Sequence, residues 1–156
     1  LQVWQRVIYA PLADEVALPD VAPGVRRLAA EDTAVLEGLE PAAAWISKTW
    51  GGAQGLANSG YGWGAFVDGE LAAVASTFFL GWSYADIGVV TVAKFQRRGL
   101  STACTAALCR DIRARGHQPT WETSPDNTAS KRVAEKLGFQ VAREDVSYVI
   151  GIDIPA

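Results

Sequence analysis

The sequence predicts an α/β fold of the α+β kind, a mixed sheet carrying helices on its faces. Three observations lead there. From Tyr61 to about residue 92 the apolar residues run in strand-like blocks, with a hairpin signal at Asp68-Gly69. From Ser101 onward they switch to helical spacing. After the leading strand, the order that results, β–α–α–β–β–β–α–β–α–β, interleaves the two kinds of element. At 156 residues, 49% hydrophobic and 20% charged, the chain has the size and composition of one globular domain, here with a leading strand and linker at 1–24 and the main domain at 25–156.

The elements follow in order. Leu1 to Ala10 alternates Val3 and Val7 against Trp4, Arg6 and Ile8 and reads as a strand. Pro11, Pro19 and Pro23 make 11–24 a linker or surface loop. Val25 to Leu28 is a short strand; Asp32 or Thr33 caps a helix through Leu39, and Pro41 opens a second helix carrying Ala42, Trp45, Ile46 and Thr49. Glycine at 51, 52, 55, 60, 62 and 64 then predicts a mobile loop. Strands follow at Tyr61 to Val67, Leu71 to Leu80 and Trp82 to Val92. Ser101 to Arg115 is an amphipathic helix with Cys104, Leu108 and Ile112 inward, ended by Gly116. Thr120 to Thr123 is a strand. Asp126 or Asn127 caps a helix with Ala129, Val133 and Leu137 inward, ended by Gly138, and Phe139 to Ile150 holds one or two last strands.

Composition excludes several functions. A net charge of −3 and a pI near 5.1 argue against nucleic-acid binding. No apolar run approaches the roughly 18–20 residues that cross a bilayer, so no membrane role is expected. No basic leader with an apolar stretch and small-residue cleavage site opens the chain. Methionine is absent, position 1 included, and the opening strand leaves room for a tandem arrangement with these residues as its C-terminal half. Cys104 and Cys109, five apart on a helix, face about 140° from each other and cannot bridge. With one histidine, His117, no metal site is expected, and a reducing, cytoplasmic setting fits best.

The chemistry-bearing segment is Val90-Thr91-Val92-Ala93-Lys94-Phe95-Gln96-Arg97-Arg98-Gly99-Leu100-Ser101, a strand, a tight turn and a helix start. A helix N-terminus offers unpaired N–H groups and the positive end of the macrodipole; Gly99 admits close approach, and Arg97 and Arg98 add charge. That combination cradles a pyrophosphate, the alternative being a plain strand-to-helix turn with solvated arginines. Neither Gly-x-x-x-x-Gly-Lys-Ser/Thr nor a G-x-G-x-x-G after a strand is present, which disfavours nucleoside triphosphatases and dinucleotide dehydrogenases.

These residues resemble the GNAT superfamily of N-acetyltransferases. The acetyl-CoA signature Q/R-x-x-G-x-G/A stands here as Gln96-Arg97-Arg98-Gly99-Leu100-Ser101, departing only in Ser101. A second element agrees, Asn127-Thr128-Ala129-Ser130 followed by Ala134-Glu135-Lys136-Leu137-Gly138-Phe139. The resemblance covers residues 86 to 150. It implies a central, mostly antiparallel mixed sheet flanked by helices and transfer of an acetyl group from acetyl-CoA to a primary amine of a small molecule, peptide or protein by direct attack. It places cofactor-binding positions at Val90, Thr91, Val92, Gln96, Arg97, Arg98, Gly99, Leu100, Ser101, Thr102, Asn127 and Ser130. The partners it implies are acetyl-CoA and an amine acceptor, a homodimer being left open.

The resemblance also implies a carboxylate base on the strand before the signature. Asp86 is the acidic residue available there, its alternative being a solvated strand end. Where similar proteins carry a tyrosine as general acid, this chain has Ala134; Ser130, Tyr84 and Tyr148 remain as substitutes. A catalytically weak acyl-CoA sensor is the other reading. Arg110, Arg113 and Arg115 either meet the CoA 3′-phosphate or form a solvated helix face. Trp45 and Trp50 line an acceptor pocket or simply pack in the core.

Overall fold

The computed structural model describes residues 1–151, so 152–156 of the expected domain lie outside it. A five-stranded sheet runs in the order β2-β3-β4-β5-β6, from β2 (Val25–Arg27), β3 (Gly62–Val67), β4 (Glu70–Leu80), β5 (Tyr84–Thr91) and β6 (Gln118–Thr120). All its pairs are antiparallel except β5–β6. A second, antiparallel sheet has the order β7-β1-β8, from β1 (Gln2–Tyr9), β7 (Glu122–Thr123) and β8 (Val141–Val149).

Central strand β4 is buried from Leu71 to Thr77 because both its faces are covered, which is why its sequence does not alternate. On one face α3 (Leu100–Ala114) packs Cys104, Leu108 and Ile112 against Ala73, Ala75 and Ile87, and α4 (Thr128–Leu137), beside α3, adds Val133 and Leu137 to the same core. On the other, α1 (Thr33–Glu37) and α2 (Ala53–Ser59) join a run of 3-10 turns over Pro41–Trp50. There Leu36, Ile46 and Leu56 meet Leu71 and Val74.

Several elements differ from expectation. Pro41–Trp50 winds as 3-10 turns rather than an α-helix, and the first helix ends at Glu37. The glycine-rich stretch is not one mobile loop: it holds α2, whose Leu56 is fully buried. A Cβ on Gly55 would stand 1.8 Å from the Trp50 carbonyl oxygen, so glycine here serves a close helix approach. In α4 the inward stripe is Val133, Ala134 and Leu137, whereas Ala129 is exposed. The single strand expected at Thr120 to Thr123 is split in two at Trp121.

The leading strand is built into the fold. Eight residues of β1 pair with β8, from Gln2↔Val149 to Tyr9↔Val141, and Leu12 is buried. The proline-bearing segment after it is irregular and is held to α3 by arginine: Arg113 donates to the carbonyls of Val16 and Ala13, and Arg110 reaches those of Leu18 and Pro19. Arg115 is likewise engaged, with Asp111 and the Gly60 carbonyl. These arginines are therefore neither a free solvated face nor, as placed, aimed at a phosphate. Both cysteines are free and buried, and burial pushes their thiols up to about 12, which leaves them unreactive.

Candidate active site

The site begins where two strands part. The parallel ladder between β5 and β6 ends at Asp86↔Thr120. Two residues further on, the chain pairs with β1 instead, through Ile8↔Glu122 and Val7↔Thr123. Trp121 sits at the fork. Its carbonyl accepts from the Tyr9 N–H at 3.0 Å, its ring is 2% exposed against Phe139, and its indole Nε1 donates to Ser130 Oγ at 3.1 Å. From Ile87 to Thr91, β5 has no paired strand on that side among the described residues.

This leaves backbone donors in the gap. The Val92 N–H donates to Ala72 O at 2.8 Å, and Val90 pairs with Val74. Alternation along an antiparallel ladder turns the Val90 N–H the same way, toward β4, and those of Val89 and Thr91 the other way, into the gap. Of the strand positions expected to bind, Thr91 thus offers a free N–H, Val90 and Val92 do not, and Val89 joins it.

Beyond the strand a short turn, Ala93–Phe95, leads to α3. Arg97 has φ 64°, a left-handed conformation uncommon for a side-chain-bearing residue, and Gly99 has φ 73°. No side chain caps α3, and a Cβ on Gly99 would meet nothing within 4 Å. The first turn of a 15-residue helix, from Leu100 through Ser101 and Thr102, therefore presents its N–H groups to open space. Arg98 lies over the buried Phe95 ring with Lys94 beside it, so positive charge flanks the turn, and exposed Gln96 ends the preceding 3-10 turn. The residues present fit an anionic pyrophosphate.

Asn127 and Ser130 have local duties. Asn127 Oδ1 accepts from the Ser130 N–H at 3.1 Å and so caps α4, while Ser130 Oγ receives the Trp121 indole. Both lie at the end of α4 nearest the fork.

Asp86 is not a solvated strand end. It is half-buried, and Thr120 Oγ1 donates to its Oδ1 at 3.0 Å. Burial, followed by the charge of Glu122, pushes its pKa up to about 7 against the opposing effects of Thr120, Arg6 and the Ile87 N–H. Glu122 is itself raised by burial, and Arg6 bridges it at 2.7 Å to Asp145, which the same guanidinium holds at 2.9 Å. Sequence reasoning missed Glu122 and Arg6. The alternation of Thr120 with Glu122 on the face of Asp86 was a visible signal, but the contribution of β1 was not.

The general-acid position stays empty: Ala134 is fully buried and has no hydroxyl. Tyr84 and Tyr148 are exposed. The His117 ring meets the Arg115 carbonyl through Nδ1 at 3.2 Å. Among the described residues no cluster of histidine, cysteine and carboxylates could hold a metal.

Comparison with known proteins decides the family. The GNAT acetyltransferase profile matches residues 25–148. The chain belongs to the GNAT acetyltransferase family. It is 46% identical over 94 residues to the uncharacterized N-acetyltransferase in the mutA 5′ region of Streptomyces virginiae, a match covering 60% of this chain and 40% of that one. A GNAT-family structure from Novosphingobium aromaticivorans superposes with a TM-score of 0.75 at 27% identity, over 94% of this chain and 63% of that chain. An aminoglycoside N-acetyltransferase in complex with CoA shares the fold, with a TM-score of 0.53 at 20% identity, over 85% of this chain and 94% of that one. This GNAT chain thus spans less than two thirds of the length of the first two relatives. Among the described residues no helix is long and apolar enough to cross a membrane.

Proposed function

We propose that this GNAT domain transfers an acetyl group from acetyl-CoA to a primary amine by direct attack. The observation that carries the proposal is the forked gap after Asp86↔Thr120, with the left-handed turn at Arg97 and Gly99 leading into α3 at the end of β5. The pyrophosphate would lie on the N–H groups of Arg98 to Thr102, and the pantetheine arm along Val89 and Thr91, with Asn127 and Ser130 on the facing helix.

The acceptor arrives as an ammonium, since an alkyl amine has a pKa near 10. Asp86, with its pKa raised to about 7, ionises around neutral pH, is a carboxylate above it, and is basic enough to accept that proton. The freed lone pair attacks the thioester carbonyl, a C–N bond forms and the C–S bond breaks. The N–H groups facing the gap are donors for the oxygen that gains charge. The thiolate leaves without a protein acid, which a thiol pKa near 8.5 permits, because Ala134 supplies none, and the second proton of the attacking nitrogen passes to the departing sulfur or to water.

That missing acid is also what favours the second reading, an acyl-CoA sensor with little turnover. Thiol release from acetyl-CoA across a panel of primary amines separates the two. Amine-dependent release supports the transferase; tight acetyl-CoA binding with no release supports the sensor. Placement in the cytoplasm, and a homodimer as the assembled form, belong to the same proposal.

A further inference from the structure

Beside Asp86 stands a wall of aromatic rings that the chemistry described above does not use. The pairing of β4 with β5 skips between Thr77 and Phe79, so Phe78 is a bulge residue. Adjacent residues of a regular strand face opposite ways, yet the Phe78 and Phe79 rings lie 4.9 Å apart, centroid to centroid. The bulge has turned both to one side. Phe79 pairs directly with Asp86 and so shares its face.

Trp45, from the 3-10 segment, meets Phe78 edge-on at 5.3 Å. Gly88, two residues from Asp86 and on the same face, makes room for this packing. A Cβ there would stand 3.2 Å from the Trp45 ring and 3.3 Å from Phe78. Tyr84 continues the face on the other side of Asp86, and both it and Phe79 are about half exposed, at 51% and 52%. The Asp86 carboxylate and the aromatic rings thus share one face of the sheet, a combination that attracts a cation carried on an apolar body.

We infer that the acceptor is a primary amine on an aryl or alkyl body, with Phe79 and Trp45 as specificity-determining residues that hold this body and its ammonium beside Asp86. The inference rests on the acetyltransferase reading. A compact hydroxylated amine would leave the rings uncovered and gain less.

The test compares 2-phenylethylamine with ethanolamine as acceptors, following thiol release from acetyl-CoA in the wild type and in Phe79→Ser, Phe79→Tyr and Trp45→Leu. Wild type is expected to favour 2-phenylethylamine in kcat/KM by about tenfold or more. Phe79→Ser should collapse that ratio, mainly through KM, and Phe79→Tyr should keep it. Acetyl-CoA affinity by calorimetry should stay unchanged in all three variants. Trp45→Leu guards against a result peculiar to one ring and should also lower the ratio. Equal use of both amines by the wild type, or a ratio unmoved in both Phe79→Ser and Trp45→Leu, overturns the inference and leaves the transferase standing. No thiol release with either amine overturns this inference, and no release with any amine of the wider panel overturns the transferase reading as well.

Discussion

Thr120 and Asp86 form the last pair of the parallel ladder, and the threonine hydroxyl donates to the carboxylate at 3.0 Å across the point where the strands part. The proposed base is therefore anchored on rigid strand backbone, beside a gap lined with free N–H groups. Its burial has a thermodynamic cost. A carboxyl raised from 3.8 to about 7 on folding binds its proton more tightly in the native state. Its stabilising effect is complete below the unfolded pKa and is lost as pH rises through about 7. Asp86→Asn is therefore expected to raise Tm relative to wild type at pH 8, with the gain shrinking toward pH 4. Thermal melts across that range check the sign; a variant less stable than wild type at pH 8 contradicts it.

The phosphate turn is predicted to fail selectively. Gly99→Val places a branched side chain in the open space above the turn, at a φ that L residues rarely adopt. It should lose about 1–3 kcal/mol of stability from backbone strain and abolish measurable acetyl-CoA binding in calorimetry. Arg97→Ala should weaken binding less, since the backbone donors remain. Unchanged affinity in Gly99→Val removes the turn from the site.

Asp111 gives a prediction about stability alone. Its carboxylate is buried, which by itself raises the pKa. Two hydrogen bonds from Arg27 at 2.8 and 2.9 Å, with the charges of Arg27 and Arg115, outweigh this and hold it below its usual value. A lowered carboxylate stabilises above its unfolded pKa and loses that effect as pH falls through the folded one. Asp111→Ala should cost about 1.5–3 kcal/mol at pH 7, toward the lower end because the Arg27 side chain is 41% exposed. The deficit should narrow in acid, as urea melts at pH 7 and pH 3 would show.

Asn127 carries two roles that one pair of measurements can separate. As the N-cap of α4, Asn127→Ala should lose about 0.5–2 kcal/mol in denaturant melts. Asn127→Asp keeps the cap and should restore that stability. If the residue also faces the pantetheine arm, acetyl-CoA affinity should fall in both variants. If affinity follows stability and recovers in Asn127→Asp, Asn127 is a cap alone.

The local devices of this chain were readable in its sequence because their causes are local. Asp68-Gly69 turns a hairpin, Gly116 and Gly138 end helices, and the Gln96–Ser101 signature opens α3. What was not readable depends on distant contacts. The pairing of β1 with β8 joins residues more than 130 apart and sets Arg6 opposite Asp145, while the pairing of β1 with β7 brings Arg6 to Glu122. Gly55 looked like a loop residue but is small because Trp50 lies against it. Asp86 was weighed between base and solvated strand end because sequence carries no measure of burial. The bulge at Phe78 likewise needs the register of two paired strands to be seen.

The most direct measurement is the pH dependence of kcat/KM for amine acetylation in wild type and Asp86→Asn. With Asp86 as base, the wild-type profile bends near pH 7, where the carboxyl ionises. Asp86→Asn loses that bend and falls by about 10²- to 10⁴-fold, with residual activity rising only as the acceptor amine becomes neutral. Its acetyl-CoA affinity stays at the wild-type value, because the turn at Gly99 and the N–H groups of Val89 and Thr91 are untouched. An Asp86→Asn enzyme that keeps wild-type turnover and the same profile would contradict the account.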